Sequence, residues 1–470
     1  MRHNIMASEA AGWCEGKLYG FDIPVCRVWK SDSRDIKPGD AFAALKGSKA
    51  DGHMFVRQAI ERGASLLLVN IAEMDKLAEE CPDLGEVSVI AVSDTSAALT
   101  RMAQMYLEVQ NPKVVGITGS VGKTTTRELV VSVLRRNNKV HSAIRSFNTL
   151  IGCSLTILAM PADTDILVLE LGTSHFGEIN EMVSFFPPDL AIITEIAPAH
   201  LEGFGSVEGV LRAKLEICGS VKLRTVIYNA DNYILNEYMS YNLNNINKIA
   251  VGKKANADLK ITAIKNILDE TGGRIEVSFA HRDGSFSVKA NLFGAQHAYN
   301  LGYACAAGEY FGIPRDGIKE ALAEFKPIAG RGICKRTKSG AWVIDESYNA
   351  NPSSMSAAIE NVLAAAEGKK YKLYAVLGGM RELGSDFAYW HQAVLDRLAG
   401  FERVFLLGDE WYEESLSIPE NAARFRTFDE LVRAFPYDAA ASESIILIKG
   451  SNVYNLKKLV VLLTEAEDVY

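Results

Sequence analysis

Residues 114–126 read VVGITGSVGKTTT, an apolar run followed by spaced glycines, one lysine and then a threonine triplet. This order of residue types suits the holding of a phosphate chain. Glycines at 116, 119 and 122 let the backbone turn sharply, so that the N–H groups of Gly119, Ser120, Val121 and Gly122 can point at phosphate oxygens. A helix starting at this point adds the partial positive charge of its N-terminus. Lys123 has the reach for the β and γ phosphates, and Thr124, with Thr125 beside it, offers a hydroxyl to Mg2+. Position 117 is Ile, so the spacing is G-x-x-G-x-x-G-K-T-T, not the strict G-x-x-x-x-G-K-T. A bland glycine-rich turn would also start a helix, but here strand, loop, lysine and helix follow in the order the chemistry requires.

The loop by itself says only that a nucleoside triphosphate is bound. A transport ATPase, a GTPase switch or a kinase would satisfy it equally. Mg2+ needs further oxygen ligands, usually a carboxylate at a strand end. Glu170 ends the run ILVLE and meets that need, although an ordinary surface glutamate could stand there. His200 follows the next strand, in EIAPAHLEGFGS. Taken alone, a histidine in such a place is more often a hydrogen-bonded structural residue than a ligand.

These residues must be positioned by an α/β scaffold. At 470 residues the chain is too long for one core, and three blocks emerge from periodicity and punctuation. The first holds the strand-like AFAAL (41–45), the amphipathic FVRQAIERG, then SLLLV and VSVIAV, and a helix over roughly 94–109 capped by Asp94 or Thr95. Asn111-Pro112 breaks that helix and sets the first boundary. The second block alternates KVVGIT, ILVLEL, LAIIT and TVIYNA with helical patterns, the signature of a doubly wound, mostly parallel sheet. A β-rich stretch over about 258–293 follows, with turns at Thr271-Gly-Gly and Asp283-Gly, then helices from Gln296 to Phe325. The segment 326–332 marks the second boundary. The third block repeats the alternation: AWVID, a helix from Ser353, LYAVLG, a helix near 386–399, RVFLLG, SIILIKG and a last helix, which read as a smaller Rossmann-like domain. The expected domains are 1–110, 111–326 and 327–470.

Composition narrows the class. The chain is 48% hydrophobic and 23% charged with a net charge of −8, ordinary values for a globular protein. No basic stripe is visible, which argues against nucleic acid as a partner. Seven cysteines occur without any C-x-x-C pair, so reduced thiols are expected, not a disulfide framework or a zinc site. No run of 18 apolar residues and no leader-like segment stands out, so a soluble cytoplasmic protein is expected, with no membrane insertion.

Taken together, GITGSVGKTTT, LELGTSHFGEI and AHLEGFGSVEGVLRAKLEI resemble the central domain of the Mur ligases. SDSRDIKPGDAFAALKG (31–47) and DGHMFVRQAIERGA (51–64) are similar to the nucleotide-sugar domain of two members. GAQHAYNLGYACAAG, GRG (330–332), VIDESYNANPSSMSAAIENV, LGGMRELG (377–384) and IKGS (448–451) narrow the resemblance to the member that adds a dipeptide, and the D-N-P-R motif of the preceding enzyme is missing. The match runs in order over about 31–460. It implies a UDP-sugar domain, a central P-loop domain with a β-rich appendage, and a C-terminal Rossmann-like domain for the incoming dipeptide. It also implies ATP-driven C–N ligation of D-Ala-D-Ala to UDP-N-acetylmuramoyl-tripeptide in peptidoglycan synthesis, by a monomer.

The resemblance assigns further roles. Glu170 and His200 become Mg2+ ligands beside Thr124, and Lys214 in RAKLE becomes a CO2-derived carbamate holding a second Mg2+. Unaided, Lys214 reads as a solvent-facing helical lysine. Asn300, with His297 near it, would border the adenine, and Arg331 and Asp345 would reach the nucleotide from the third domain. Asp32, Ser33 and Arg34, with Asp51, Gly52 and His53, would sit at the UDP end. Asn148, Thr173 and Ser174 would line the path of the peptide carboxylate, and Tyr348, Asn349 and Asn351 would face the dipeptide. Four positions depart from the family pattern: Glu195 for Asn, Ala197 for Gly, Glu346 for Asp and Gly379 for Asp. A P-loop regulator without ligation would be expected to lack Lys123, Glu170, His200 or Lys214, and all four are present. A sister ligase making another amide would be expected to carry a different first domain.

Overall fold

The computed structural model describes residues 5–25, 28–47, 50–143, 147–270, 272–437 and 443–465. Cys26 and the expected turn residue Thr271 lie outside them. Among the described residues three sheets follow one another along the chain. The first has the spatial order Lys17–Tyr19, Ser88–Val92, Leu66–Asn70, Ala41–Ala43, Trp29–Lys30, parallel except for the first pairing. The helix Thr95–Gln110 leads out of it. Asp94 caps that helix, its carboxylate accepting from Ser96 N (2.8 Å) and Ala97 N (3.0 Å), and Asn111 ends it at φ +45°, a left-handed turn that Asn tolerates.

The central sheet has nine strands in the order Gly284–Ala290, Gly272–His281, Leu259–Asp269, Asn247–Gly252, Thr225–Asn229, Leu190–Ile193, Lys113–Thr118, Ile166–Glu170, Val140–Ser142. From Leu259–Asp269 through Val140–Ser142 every pairing is parallel, and the last two hairpin pairings are antiparallel. The β-rich stretch therefore extends the sheet at one edge. Strands such as Ile166–Glu170 and Thr225–Asn229 are buried along their whole length, because helices cover both faces. The chain leaves Lys113–Thr118 toward Ile166–Glu170 on one side and returns as Leu190–Ile193 on the other. Such a reversal opens a crevice at the C-terminal strand ends, where ligands settle in open α/β sheets.

The third sheet runs Ile333–Arg336, Trp342–Glu346, Ser444–Lys449, Lys372–Gly378, Arg403–Leu407, Ala422–Phe425, parallel except for its first pairing. The helix expected from Ser353 starts at Pro352, capped by Asn351, and the one expected near 386–399 is the shorter Phe387–Leu395. AFAAL forms strand only over Ala41–Ala43. Cys14, Cys81, Cys153, Cys218, Cys305 and Cys334 are free thiols, and no helix among the described residues is long and apolar enough to cross a membrane.

Candidate active site

The phosphate loop joins the strand Lys113–Thr118 to the helix Lys123–Leu134. Gly119 (φ +144°) and Gly122 (φ +84°) take backbone angles that side chains resist, and a Cβ on Gly119 would fall 2.1 Å from Thr194 Oγ1. Ser120 ties the loop to the next strand end: its N–H donates to Glu195 O (2.8 Å) and its hydroxyl to Ala197 O (2.8 Å). Lys123 Nζ folds back to donate to Gly119 O at 2.6 Å. Thr124 Oγ1 donates to Glu170 Oε2 at 2.8 Å, so the hydroxyl and the carboxylate meet at the floor of the crevice. Arg127, one helical turn after Lys123 and 2% exposed, pairs with Glu170 at 3.5 Å. Asn148 Nδ2 donates to the other oxygen of Glu170, also at 3.5 Å.

A cavity of about 420 Å³ opens above this floor, walled by the central and third sheets' loops. Arg331 crosses from the third side and donates to Thr124 Oγ1 at 3.1 Å, with its guanidinium 3.9 Å from the Tyr348 ring centroid. It sits between Gly330 (φ +80°) and Gly332 (φ +77°). Asp345 lies one step behind: its buried carboxylate accepts from Gly330 N (2.9 Å), Ser347 N (3.1 Å) and Ser347 Oγ (2.6 Å). It shapes the loop that carries Arg331 and does not line the cavity. Asn349 and Asn351 line the third wall with Tyr348, and Asn351 is also the helix cap, accepting from Ser354 N at 2.8 Å.

Charge is concentrated here away from water. Burial pulls the Lys123 ammonium below the usual lysine value against the attraction of Glu170, with a smaller push from Arg331 in the same direction as burial. Lys214 is 1% exposed, and burial followed by the nearby Lys123 pushes it well below that value. Burial also holds the His200 imidazole below its usual value against the pull of Glu382, with Lys214 and Lys123 adding to the effect. His297 is pushed down to about 4 by burial and then by Arg331 and Lys449. Its Nδ1 faces Asn300 Nδ2 at 3.2 Å, while Asn300 Oδ1 accepts from Thr126 Oγ1. Glu195 lines the cavity as a half-buried carboxylate raised by desolvation, and the Asn229 amide (2.6 Å) and the Asn232 amide satisfy it. The departure from Asn at this position is thus matched by two amide donors.

The cavity gathers Ser120, Val121, Gly122, Lys123, Thr124, Thr125, Asn148, Glu170, His200, Asn300, Arg331, Tyr348, Asn349 and Asn351 from the residues expected to act. Lys214 lies beneath it, its Nζ 5.8 Å from the Phe204 ring centroid. Thr173 and Ser174 stand outside it, their loop gathered by Glu178, whose Oε2 accepts from Thr173 Oγ1 (2.9 Å) and Ser174 N (2.7 Å). The first-sheet group is elsewhere and internally paired. Asp32 holds the exposed Arg34 at 2.7 Å, and Ser33 Oγ donates to Gln58. His53 donates from Nδ1 to Asp51 and accepts at Nε2 from Asn70 N (2.8 Å), so both ring nitrogens are engaged. Sequence reasoning passed over Lys449, which is buried against Glu346 (3.3 Å) and donates to Asn349 O (3.0 Å), along with Gln296, Tyr299 and Tyr303 on the cavity wall. The IKGS segment pointed at Lys449, and the four-residue step from Lys123 pointed at Arg127.

Fold and site define a P-loop nucleotide-binding protein whose phosphate site is closed over by a second α/β unit. Comparison with known proteins makes this specific. Sequence signatures described as Mur ligase family, catalytic domain (29–112), Mur ligase middle domain (117–308) and Mur ligase, glutamate ligase domain (330–452) match in order. The chain belongs to the Mur ligase family, whose members are ATP-dependent ligases. It is 33% identical to the UDP-N-acetylmuramoyl-tripeptide–D-alanyl-D-alanine ligase of Bacillus subtilis (strain 168), with 93% of each chain covered. It is 32% identical to the ligase of the same name from Escherichia coli (strain K12), covering 98% of this chain and 99% of that one. Among solved structures, MurF from Acinetobacter baumannii superposes with a TM-score of 0.82 at 26% identity, covering 98% of both chains. MurF ligase from Thermotoga maritima in complex with ADP gives 0.78 at 25% identity, covering 93% of this chain and 97% of that one.

Proposed function

We propose that this chain joins D-Ala-D-Ala to the terminal carboxylate of UDP-N-acetylmuramoyl-tripeptide, with ATP cleaved to ADP and phosphate, in peptidoglycan synthesis. The observation that carries this reading is near-full-length similarity to ligases of that name, together with a phosphate loop met by Arg331 from the third side. The tripeptide carboxylate attacks the γ-phosphorus and ADP leaves, giving an acyl phosphate. The dipeptide amine then adds to the acyl carbon, and the tetrahedral intermediate loses a proton and phosphate to leave the amide. The difficulty is electrostatic, since a carboxylate must approach a polyphosphate. Lys123, Arg331 and the loop N–H groups supply the compensating charge, and the cavity walls limit the access of water to the acyl phosphate.

The residues suit Mg2+. Among the described residues no group of three His, Cys, Asp or Glu side chains is ready to hold a metal by itself. Mg2+ does not require one, because one or two carboxylates hold it while phosphate oxygens and water fill much of its shell. The Glu170 carboxylate, with Thr124 Oγ1 2.8 Å from its Oε2 and His200 on the same cavity, meets that description. A bound Mg2+ would polarise the phosphoryl oxygens. Lys214 fits a carbamate: a buried amine held well below its usual value is more often neutral, and only the neutral amine attacks CO2. Tyr348, Asn349 and Asn351 serve the dipeptide, and Asn148, Thr173 and Ser174 the tripeptide carboxylate. The first unit (1–110), with Asp32, Ser33, Arg34, Asp51 and His53 shaping its loops, holds the UDP-sugar. Residues 111–326 bind ATP and 327–470 the dipeptide. The protein acts in the cytoplasm, as a monomer.

The test is phosphate release and product mass with ATP, Mg2+, UDP-muramyl tripeptides carrying lysine or diaminopimelate, and D-Ala-D-Ala, D-Ala-D-Ser or D-Ala-D-Lac. Pentapeptide formed only when all components are present supports the reading. Phosphate release without an amide product, on every pairing, refutes it.

A further inference from the structure

The loop 379–384 of the third unit is braced from its own side by several hydrogen bonds and an ion pair. Gly379 N donates to Leu407 O (3.0 Å), Ser451 N to Gly379 O (3.3 Å) and Met380 N to His391 Nε2 (3.1 Å). His391 is fixed in turn, its Nδ1 donating to Phe387 O at 2.7 Å. Arg381 pairs with Glu410 at 2.6 Å, whose other oxygen accepts from the Tyr454 hydroxyl. This stiff loop presents Glu382 to the central unit. The Glu382 carbonyl accepts from Leu201 N at 3.1 Å, and its carboxylate lies against His200 Nδ1. That nitrogen is buried and makes no aligned hydrogen bond, so Glu382 is the acceptor within its reach.

Both partners carry unusual backbone. Glu382 has φ +62° and His200 φ +52°, left-handed values that non-glycine residues seldom take. Such conformations persist only where the surroundings over-determine them, and they gather at working sites. Here two of them face each other across the boundary between the central and third sheets.

We propose that Glu382 is a positioning residue: when the third unit docks, its carboxylate fixes the His200 ring through Nδ1 and leaves Nε2 toward the nucleotide cavity. This rests on the reading of that cavity as the ATP site. An imidazole without such a partner turns about two side-chain bonds and exchanges tautomers. A carboxylate on one nitrogen sets both the orientation and the nitrogen that carries the proton. Closure then does two things at once. Arg331 brings a cation to Thr124, and Glu382 sets His200. Neither is in place while the third unit stands away.

The informative variant is Glu382→Gly. Glycine accepts the left-handed backbone with less strain than glutamate, so the fold is retained while the carboxylate is lost. Ligation kcat is expected to fall about 10–100-fold, the usual cost of removing a partner of this kind, with KM for the tripeptide nearly unchanged. Glu382→Gln keeps an acceptor oxygen and should recover most of the rate. The second readout needs no turnover. In full-length protein with 15N-labelled histidine and no divalent metal, the His200 signals, assigned by their loss in His200→Gln, should report Nδ1–H in the wild type and in Glu382→Gln, and a mixture in Glu382→Gly. Spectra are taken with and without a non-hydrolysable ATP analogue. Identical tautomers in all three proteins, or a wild-type kcat in Glu382→Gly, overturns the proposal. A wild type that does not ligate counts against the function alone, because the ring signals are read without it.

Discussion

Lys214→Met separates the cost of a buried charge from its use. Lys214 sits on the helix Val207–Leu215 at 1% exposure, and no hydrogen bond or ion pair among the described residues engages it. Burial, then Lys123, depresses its proton affinity, while Glu178 and Glu216 pull weakly the other way. In the unfolded chain a lysine titrates near 10.4. Below the folded value both states are protonated and the full penalty weighs on folding. Between the folded value and about 10.4 the unfolded chain binds the extra proton, so wild-type stability rises by about 1.4 kcal/mol per pH unit. Methionine has similar length and no charge, so Lys214→Met should be more stable than wild type at pH 7, and the gap should close as pH rises. At roughly 2–4 °C per kcal/mol for a domain of this size, the closing rate is about 3–6 °C per pH unit. Thermal unfolding of the full chain in CO2-free buffer with chelator, over pH 7–10, measures it. The same variant should lose ligation by about 10²-fold or more, and bicarbonate with Mg2+ should stabilise the wild type alone. A Met variant less stable than wild type at pH 7, or a gap that does not move with pH, would show that the ammonium is compensated and the reasoning wrong.

Lys123→Ala should lower the ligation rate by about 10²–10³-fold with the melting curve little changed, since among the described residues Nζ donates only to a loop carbonyl, Gly119 O; steady-state kinetics beside a thermal melt checks both. Gly203→Ala should move the loop 172–177 and reduce activity, because the added Cβ would fall 2.0 Å from Ser174 O; wild-type kinetics and an unshifted melting temperature would contradict this. Binding of an ATP analogue and tripeptide should draw the third unit inward about Gly330 and Gly332, and small-angle scattering should record a smaller radius of gyration. An unchanged radius at demonstrated saturation would count against closure.

The parts legible in the sequence are those whose physics is local. The phosphate loop declares itself because Gly119 and Gly122 need positive φ and Lys123 must follow at once. Asp94 shows as a cap because its carboxylate serves the N–H groups two and three residues further on. Strands such as Ile166–Glu170 show as continuous apolar runs because both faces are covered. Short edge strands do not show. Lys17–Tyr19 and Val140–Ser142 have three residues each, too few for any period, and exist only because a neighbour pairs with them. Lys214 looked solvent-facing because helical spacing says nothing of what packs on the helix, and the resemblance alone corrected that reading. Asp345, expected at the nucleotide, turned out to hold the Arg331 loop, since backbone N–H groups that sequence cannot place surround its carboxylate. The contacts that make one site of several units, Arg331 on Thr124 across 207 positions and Glu382 on His200, belong to the tertiary structure alone. Sequence order sets which groups the chain carries, whereas the packing of the three sheets against one another decides which of them meet.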